Sequence, residues 1–344
     1  MKRIIFLLFT LSSSILINAQ SDKEKVLETV DQNDIKGHIY FLSDDLLRGR
    51  ETGTPGNKIA ASYLANTLRS YGVKPNPKTG TYYQPATLNV RQRANDSIIV
   101  GEVQSQNVIG IVEGTDPKLK NEYIIYSAHY DHIGTRDPNI ENDSIYNGAR
   151  DNAVGTTTVL SMAENLAKYP TKRSALFILF TGEEKGLLGS RYYVENPVLP
   201  LEQMVYCFNS DNAGYNDTSI ATIVGLSRTT AEQHIIDAAI EFGIKAVDTP
   251  TGAEGLFNRS DNVSFARKGI PAPTFSLGFT SFSGDVLKYY HQPADEADSL
   301  DYDYLLKFFQ SYVLSGRKIG NDPKTPFWVK GDEYENAGKA LYDN

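Results

Sequence analysis

The stretch Leu176-Phe177-Ile178-Leu179-Phe180-Thr181-Gly182-Glu183-Glu184 constrains this chain more than any other. Five apolar residues in succession, bounded by Ser174 and Gly182, read as a buried strand. The strand ends in two adjacent carboxylates, and a glycine-containing segment, Lys185-Gly186-Leu187-Leu188-Gly189, follows. Like charges a few ångströms apart disfavour joint ionisation, so such a terminus is costly unless a cation waits there. The plain alternative is a solvated first helical turn, where the helix dipole favours acids. The rest of the chain decides between the two.

Ser21 to about Leu47 has helical spacing, with Val26, Val30, Ile35, Ile39 and Leu42 on one face. The loop Arg48 to Gly56 lacks the Gly-Lys-Ser/Thr ending of a phosphate-binding loop. A second helix is expected over Asn57 to Tyr71, stopped by Gly72. Closely spaced strand-like runs from Tyr82 to Gly114 (Thr87–Val90, Ser97–Val103, Asn107–Val112) predict an antiparallel edge. Further on, Tyr123–Ser127, Ser174–Phe180, Met204–Phe208 and Pro273–Leu277 read as strands. They alternate with helical patterns at Asp151–Leu166, Leu187–Val194, Thr230–Phe242 and Tyr302–Ile319. This alternation predicts an α/β three-layer sandwich: a mixed, mostly parallel central sheet with helices on both faces. No repeat or linker divides the chain, so residues 20–344 are read as a single domain. Its tail, from about 323, is polar and anchored by Phe327 and Trp328.

The amino terminus has a different character. Lys2 and Arg3 precede an apolar run from Ile4 to Ile17, and Ala19 offers a cleavage point, so residues 1–19 read as a signal peptide. The run is too short and too interrupted by hydroxyl side chains for a comfortable span, so no stable membrane insertion is expected after its removal. The chain is therefore expected to be exported, to a periplasm or beyond the cell. Losing Lys2 and Arg3 takes the formal net charge from -8 to -10, which argues against a nucleic-acid partner. The single cysteine, Cys207, cannot form an internal disulfide, so the core must carry the stability.

Candidate metal ligands recur where the strands end, the place open α/β sheets put their sites. His129 and Asp131 follow the Tyr123–Ser127 strand, and Asp151 lies where a loop enters a helix. Glu183 and Glu184 end the opening strand, Asp211 follows Met204–Phe208, and His291 precedes the last long helix. Two imidazoles and three carboxylates, one of them bridging, give each of two Zn2+ ions three protein ligands and leave a position for a shared water. Three ligand carboxylates leave a residual positive charge, which favours ionisation of that bridging water near neutral pH. A fourth carboxylate is then needed as general base.

In order along the chain, Ser127-Ala128-His129-Tyr130-Asp131, Asn147 to Gly155, Phe180 to Ser190, Asn209-Ser210-Asp211 and Tyr290-His291 resemble the motifs of the co-catalytic di-zinc exopeptidases of the bacterial leucyl aminopeptidase and aminopeptidase Y type. Arg48-Gly49-Arg50-Glu51-Thr52-Gly53 matches an entry motif of that family. The resemblance implies that His129, Asp151 and Asp211 hold one zinc and that Asp151, Glu184 and His291 hold the other. It implies Glu183 as general base and Asp131 as the carboxylate that fixes the tautomer of His129. It also implies a peptide substrate, a zinc peptidase domain, and aminopeptidase action on N-terminal residues. Relatives include glutamate carboxypeptidase and glutaminyl cyclase, so a cyclase-like acyltransferase and a carboxypeptidase or dipeptidase are the alternative readings. Nothing local tells Glu183 from Glu184.

Arg150 departs from the family pattern beside the expected bridge, where small or acidic residues are usual. Arg150, Arg259 and Tyr290 are taken as candidate lining of the substrate pocket. Phe257, Phe275, Phe279 and Phe282 are either further lining or plain core. His132, next to Asp131, is a possible alternative ligand but is expected at the surface or behind the ligands. Asp295, four residues after His291, is either a support for it or an exposed loop acid. The accessory domain that many relatives insert before the first histidine motif has no room between Gly72 and Tyr123.

Overall fold

The structure, a computed structural model, describes residues 20–94 and 97–343; the expected signal peptide lies outside them. The strands are β1 (Lys74–Pro75), β2 (Tyr83–Ala94), β3 (Ser97–Val112), β4 (Tyr123–His129), β5 (Gly134–Thr135), β6 (Ile145–Tyr146), β7 (Ser174–Phe180), β8 (Met204–Ser210), β9 (Ile220–Val224), β10 (Lys245–Asp248) and β11 (Thr274–Leu277). The helices are α1 (Asp22–Thr29), α2 (Gln32–Leu42), α3 (Pro55–Ser70), α4 (Gly155–Lys168), α5 (Leu188–Glu195), α6 (Glu232–Glu241), α7 (Asn262–Ala266), α8 (Asp285–Tyr289), α9 (Tyr302–Asn321) and α10 (Glu335–Tyr342).

One sheet runs β1-β3-β7-β4-β8-β11-β9-β10, with β2 paired to β3, while β5 and β6 form a separate two-stranded ribbon. At its centre β7, β4 and β8 are mutually parallel, and β11 is parallel to β8. Their carboxyl ends therefore share one edge. The β2–β3 hairpin and the β3–β7 pairing are antiparallel, as the spacing of Tyr82 to Gly114 predicts. The two runs expected within Ser97–Val112 are one strand, because Gln104, Ser105 and Gln106 keep their ladder partners Thr87, Ala86 and Pro85.

Side chains alternate between two cores with the period of two that a strand imposes. Ala175, Phe177 and Leu179 of β7 join Tyr126 of β4 and Phe208 of β8 on one face, against Leu160 of α4 and Phe308 and Tyr312 of α9. Leu176, Ile178 and Phe180 face the other way with Ile125 and Cys207, against Tyr193 of α5, Phe265 of α7 and Trp328. The β7 strand is wholly buried, and that is why its sequence carries no polar face. The residues after 323 form more than a polar tail. Trp328 is buried with its Nε1 donating to the Gly269 carbonyl, and α10 ends where the Tyr342 hydroxyl donates to the Met204 carbonyl.

Candidate metal centre

His129 is the last residue of β4, and Asp211 directly follows β8. Glu183 and Glu184 leave β7 through Gly182, whose φ of +74° turns the chain sharply at the sheet edge. Asp151 comes from the irregular turn Ala149–Val154 ahead of α4, and His291 follows α8 with a φ of +54°. A histidine held in the left-handed region is strained, a condition that surrounding structure must enforce and that clusters at functional sites. Gly148 (φ +62°) is required on two counts: a Cβ there would lie 2.2 Å from the Asp151 carbonyl oxygen and 2.6 Å from the His132 ring.

The side chains converge in two groups that share Asp151. His129 Nε2 lies 3.3 Å from Asp151 Oδ1 and 3.1 Å from Asp211 Oδ1. On the other side, His291 Nε2 lies 3.1 Å from Asp151 Oδ2 and 3.2 Å from Glu184 Oε2. Each oxygen of Asp151 thus faces a different histidine. Glu183 belongs to neither group but lines the same cavity. The adjacent acids, indistinguishable by local sequence, occupy different places.

The electrostatics of this cluster call for positive charge. Burial opposes protonation of His129, yet the neighbouring Asp211 and Glu183 carboxylates and hydrogen bonds donated to Asp151 and Asp211 push its pKa well above the usual value. His291 behaves alike: burial lowers it, but hydrogen bonds donated to Asp151 and Glu184, and their negative charge, drive it up to about 10. Imidazolium charge is filling places that a cation would take. Imidazole nitrogens with carboxylate oxygens form the donor set that suits zinc and similar divalent ions. The residues fit the group. Glu183 lies between burial, which raises its pKa, and His129, which lowers it; with Asp211, Glu184 and Asp261 adding negative charge, the balance is a pKa well above the normal carboxylate value.

A cavity of about 420 Å³ opens over the cluster, with His129, Asp151, Glu183, Glu184, Asp211 and His291 on its floor. Leu187, Val224, Leu256, Phe279, Phe282 and Tyr290 form apolar walls, and Arg191 and Arg259 reach it from the surface. Phe257 and Phe275 are core residues away from it.

Residues 107–314 match the model of peptidase family M28, more than half of the chain. The chain belongs to peptidase family M28. This M28 chain is 30% identical over 256 residues to aminopeptidase YwaD of Bacillus subtilis, covering 71% of this chain and 50% of that protein. It spans about half the length, or less, of the curated relatives it matches. Its fold is that of an aminopeptidase from Aneurinibacillus sp. strain AM-1 (TM-score 0.65, 17% identity, 88% of this chain and 97% of that one). A zinc aminopeptidase of Bacillus subtilis is equally similar (TM-score 0.65, 17% identity, 89% and 97%).

Within the M28 chain, the sequence expectations fare unevenly. Arg150 is a correction: it does not line the cavity. Its guanidinium is buried, donates to Asp295 Oδ1 at 3.0 Å and to Ser299 Oγ at 2.7 Å, and packs on the Tyr289 ring at 3.6 Å. A cation beside the acids finds a protein carboxylate there instead of a substrate's. Asp295 is buried and not an exposed loop acid. Its carboxylate accepts the backbone N–H of Arg150 and of Asp151, at 3.0 and 3.1 Å, and so clamps the turn that presents Asp151. Arg259 and Tyr290 do line the cavity. Asp131 is fully buried; His129 Nδ1 is 3.1 Å from its backbone carbonyl and 3.8 Å from its carboxylate. The carboxylate accepts from Thr52 Oγ1 and from the Glu183 N–H.

Of three supporting residues, only His132 was given a place by the sequence. Arg50, inside the entry motif, is buried and donates to the carbonyls of Tyr130, Asn147 and Gly148, tying the β4 exit to the Asp151 turn. His132 is wholly buried against Glu184 and not at the surface. Asp261 is buried with neither carboxylate oxygen hydrogen-bonded. Burial raises its pKa against the opposing pull of His129, up to about 7. The first was signalled by the motif and the second by its neighbour Asp131; the third lies in Arg259-Ser260-Asp261, which resembles a family segment near the pocket, but its role needed tertiary structure.

Proposed function

We propose that this chain is a zinc-dependent aminopeptidase, removing N-terminal residues from peptides outside the cytoplasm. The observation that carries it is the placement of Asp151, one oxygen toward His129 and Asp211 and the other toward His291 and Glu184. His129, Asp151 and Asp211 would hold one zinc, and Asp151, Glu184 and His291 a second. When bound, the metal supplies Lewis-acid chemistry, polarising a carbonyl and making water a stronger acid.

The protein's own groups do the rest. Glu183 takes a proton from the attacking water on its carboxylate and returns it to the departing amine, a role suited to an acid whose pKa burial has raised. Asp131 accepts the Glu183 backbone N–H and holds that residue at the cavity floor. Leu256, Phe279 and Phe282 offer an apolar wall for the substrate's first side chain. Export rests on the amino-terminal sequence alone. Among the described residues no helix is long and apolar enough to cross a membrane.

A panel of aminoacyl fluorogenic substrates, assayed with chelator and after zinc is restored, tests the reading. Cleavage should favour apolar first residues, vanish with chelation, return with zinc, and fail when the amino terminus is acetylated. Indifference to chelator would defeat it. A second reading, a dipeptidase or carboxypeptidase, is favoured by Arg191 and Arg259, both exposed at the cavity and without ion pairs among the described residues. Cleavage that survives acetylation but fails on C-terminal amides would select it.

A further inference from the structure

The proposed ligands account for five side chains, yet a sixth stands among them. His132 shares the group formed by Asp151, Glu184 and His291, and its side chain has no exposed surface. Its Nδ1 lies 2.9 Å from Glu184 Oε1, while Glu184 Oε2 is the oxygen that faces His291. Its Nε2 is buried and has no hydrogen-bond partner. Its ring stands edge-on to that of His291, at 73° and 5.5 Å between centroids.

A carboxylate accepts only, so the 2.9 Å contact places the proton of a neutral His132 on Nδ1. Nε2 then carries the lone pair of the neutral ring. An Nδ1 committed to Glu184 has no lone pair for a cation. We infer that His132 is a positioning residue: it holds Oε1 of Glu184 by a hydrogen bond and thereby aims Oε2 alone into the metal site.

The inference rests on the proposed two-zinc reading and deepens it. It also gives the Asp131-His132 pair a joint task. Asp131 accepts the N–H of Glu183 and His132 donates to the side chain of Glu184, so adjacent residues on one loop hold adjacent residues on the other. Hydrogen bonds to liganding carboxylates generally tune metal affinity in this way.

The test uses the full chain, zinc uptake and chelator competition, with no turnover assay. His132→Leu removes the donor; His132→Asn keeps an amide N–H close to the place of Nδ1. With wild type binding two zinc ions, His132→Leu should weaken one of them roughly 10- to 100-fold and leave the other unchanged. His132→Asn should recover most of that loss. On a Glu184→Gln background the His132→Leu change should add little, because the residue acts through Glu184.

Wild-type affinity in His132→Leu would overturn the inference. Equal loss of one zinc in both variants, with unchanged melting, would make His132 a ligand and overturn it as well. Should His132→Leu fail to fold, the His132→Asn comparison decides: near-wild-type affinity supports positioning, and loss of a zinc refutes it. Wild-type protein holding one zinc or none would instead defeat the parent reading.

Discussion

Arg150 and Asp295 form the pair on which the Asp151 turn depends. Both are buried, and among the described residues Asp295 is the only counter-charge the guanidinium meets at salt-bridge distance. Breaking a buried pair strands the remaining charge, at a cost on the order of 3–5 kcal/mol. Asp295→Ala should lose about that much in urea unfolding and should weaken zinc uptake, since two N–H groups that fix the Asp151 turn lose their acceptor. Loss of zinc with unchanged stability would contradict this. The two glutamates separate by a different measurement. Glu183→Gln should keep its zinc while turnover falls roughly a hundred- to ten-thousandfold, the scale of general-base assistance. Glu184→Gln should lose metal, and the reverse pattern would exchange their roles. Asp151→Asn should impair both sites together; full occupancy of either would contradict a shared ligand. At this scale the chain could be read as a list of chemistries but not of partners. Ligand residue types stand out at strand ends, whereas Arg150 shows its partner only when residues 145 positions apart meet.

Between elements, the sheet centre was legible and its margins were not. The β4, β7 and β8 strands each contain an apolar run of four to six residues because both faces are covered, a pattern that periodicity detects. The β9 and β10 strands are short, and β10 is a partly exposed edge, so neither gives such a run. The single helix expected from Ser21 to Leu47 is divided because Asp31 caps a new one, its side chain accepting the Asn33 N–H. The first helix, α1, begins with Ser21 and Glu24 capping each other reciprocally, and it docks on α9 through Asp22. Arg317 donates to Asp22 Oδ1 through Nε at 3.0 Å and Nη2 at 2.6 Å, and Asn321 donates to Oδ2. Burial raises the Asp22 pKa, but Arg317 outweighs it and the net shift is downward. A depressed carboxylate stabilises the fold above its unfolded pKa, near 4, and that contribution fades as pH falls through the lower folded value. Asp22→Asn should therefore cost about 2 kcal/mol at pH 7 and progressively less in acid. Urea unfolding at a series of pH values checks it; a pH-independent deficit would assign the effect to packing instead.

At the level of the molecule, the site is also a point of self-repulsion. His129, Asp151, Glu184, Asp211 and His291 arrive from elements spread over nearly half the chain, and three acids crowd around a shared centre. Without a cation that crowding is relieved only by protonating imidazoles, as the raised pKa values of His129 and His291 record. As pH rises past the ordinary imidazole value, the unfolded chain gives up protons that the folded cluster keeps, so the stability they contribute is lost progressively toward a pH of about 10. An ion that binds the folded state and not the unfolded chain adds stability by mass action, about 4 kcal/mol at a thousandfold excess over its dissociation constant. Chelated protein should accordingly melt several degrees lower than zinc-loaded protein, with the gap widening from pH 6.5 to pH 8.5. Asp151→Asn should lose most of that gap, since it removes charge from both halves of the cluster. A melting temperature unmoved by chelator in wild type would mean that the acids reach their positions without metal, and the fold would then owe its site geometry to Arg50, Asp295 and the β-strand frame alone.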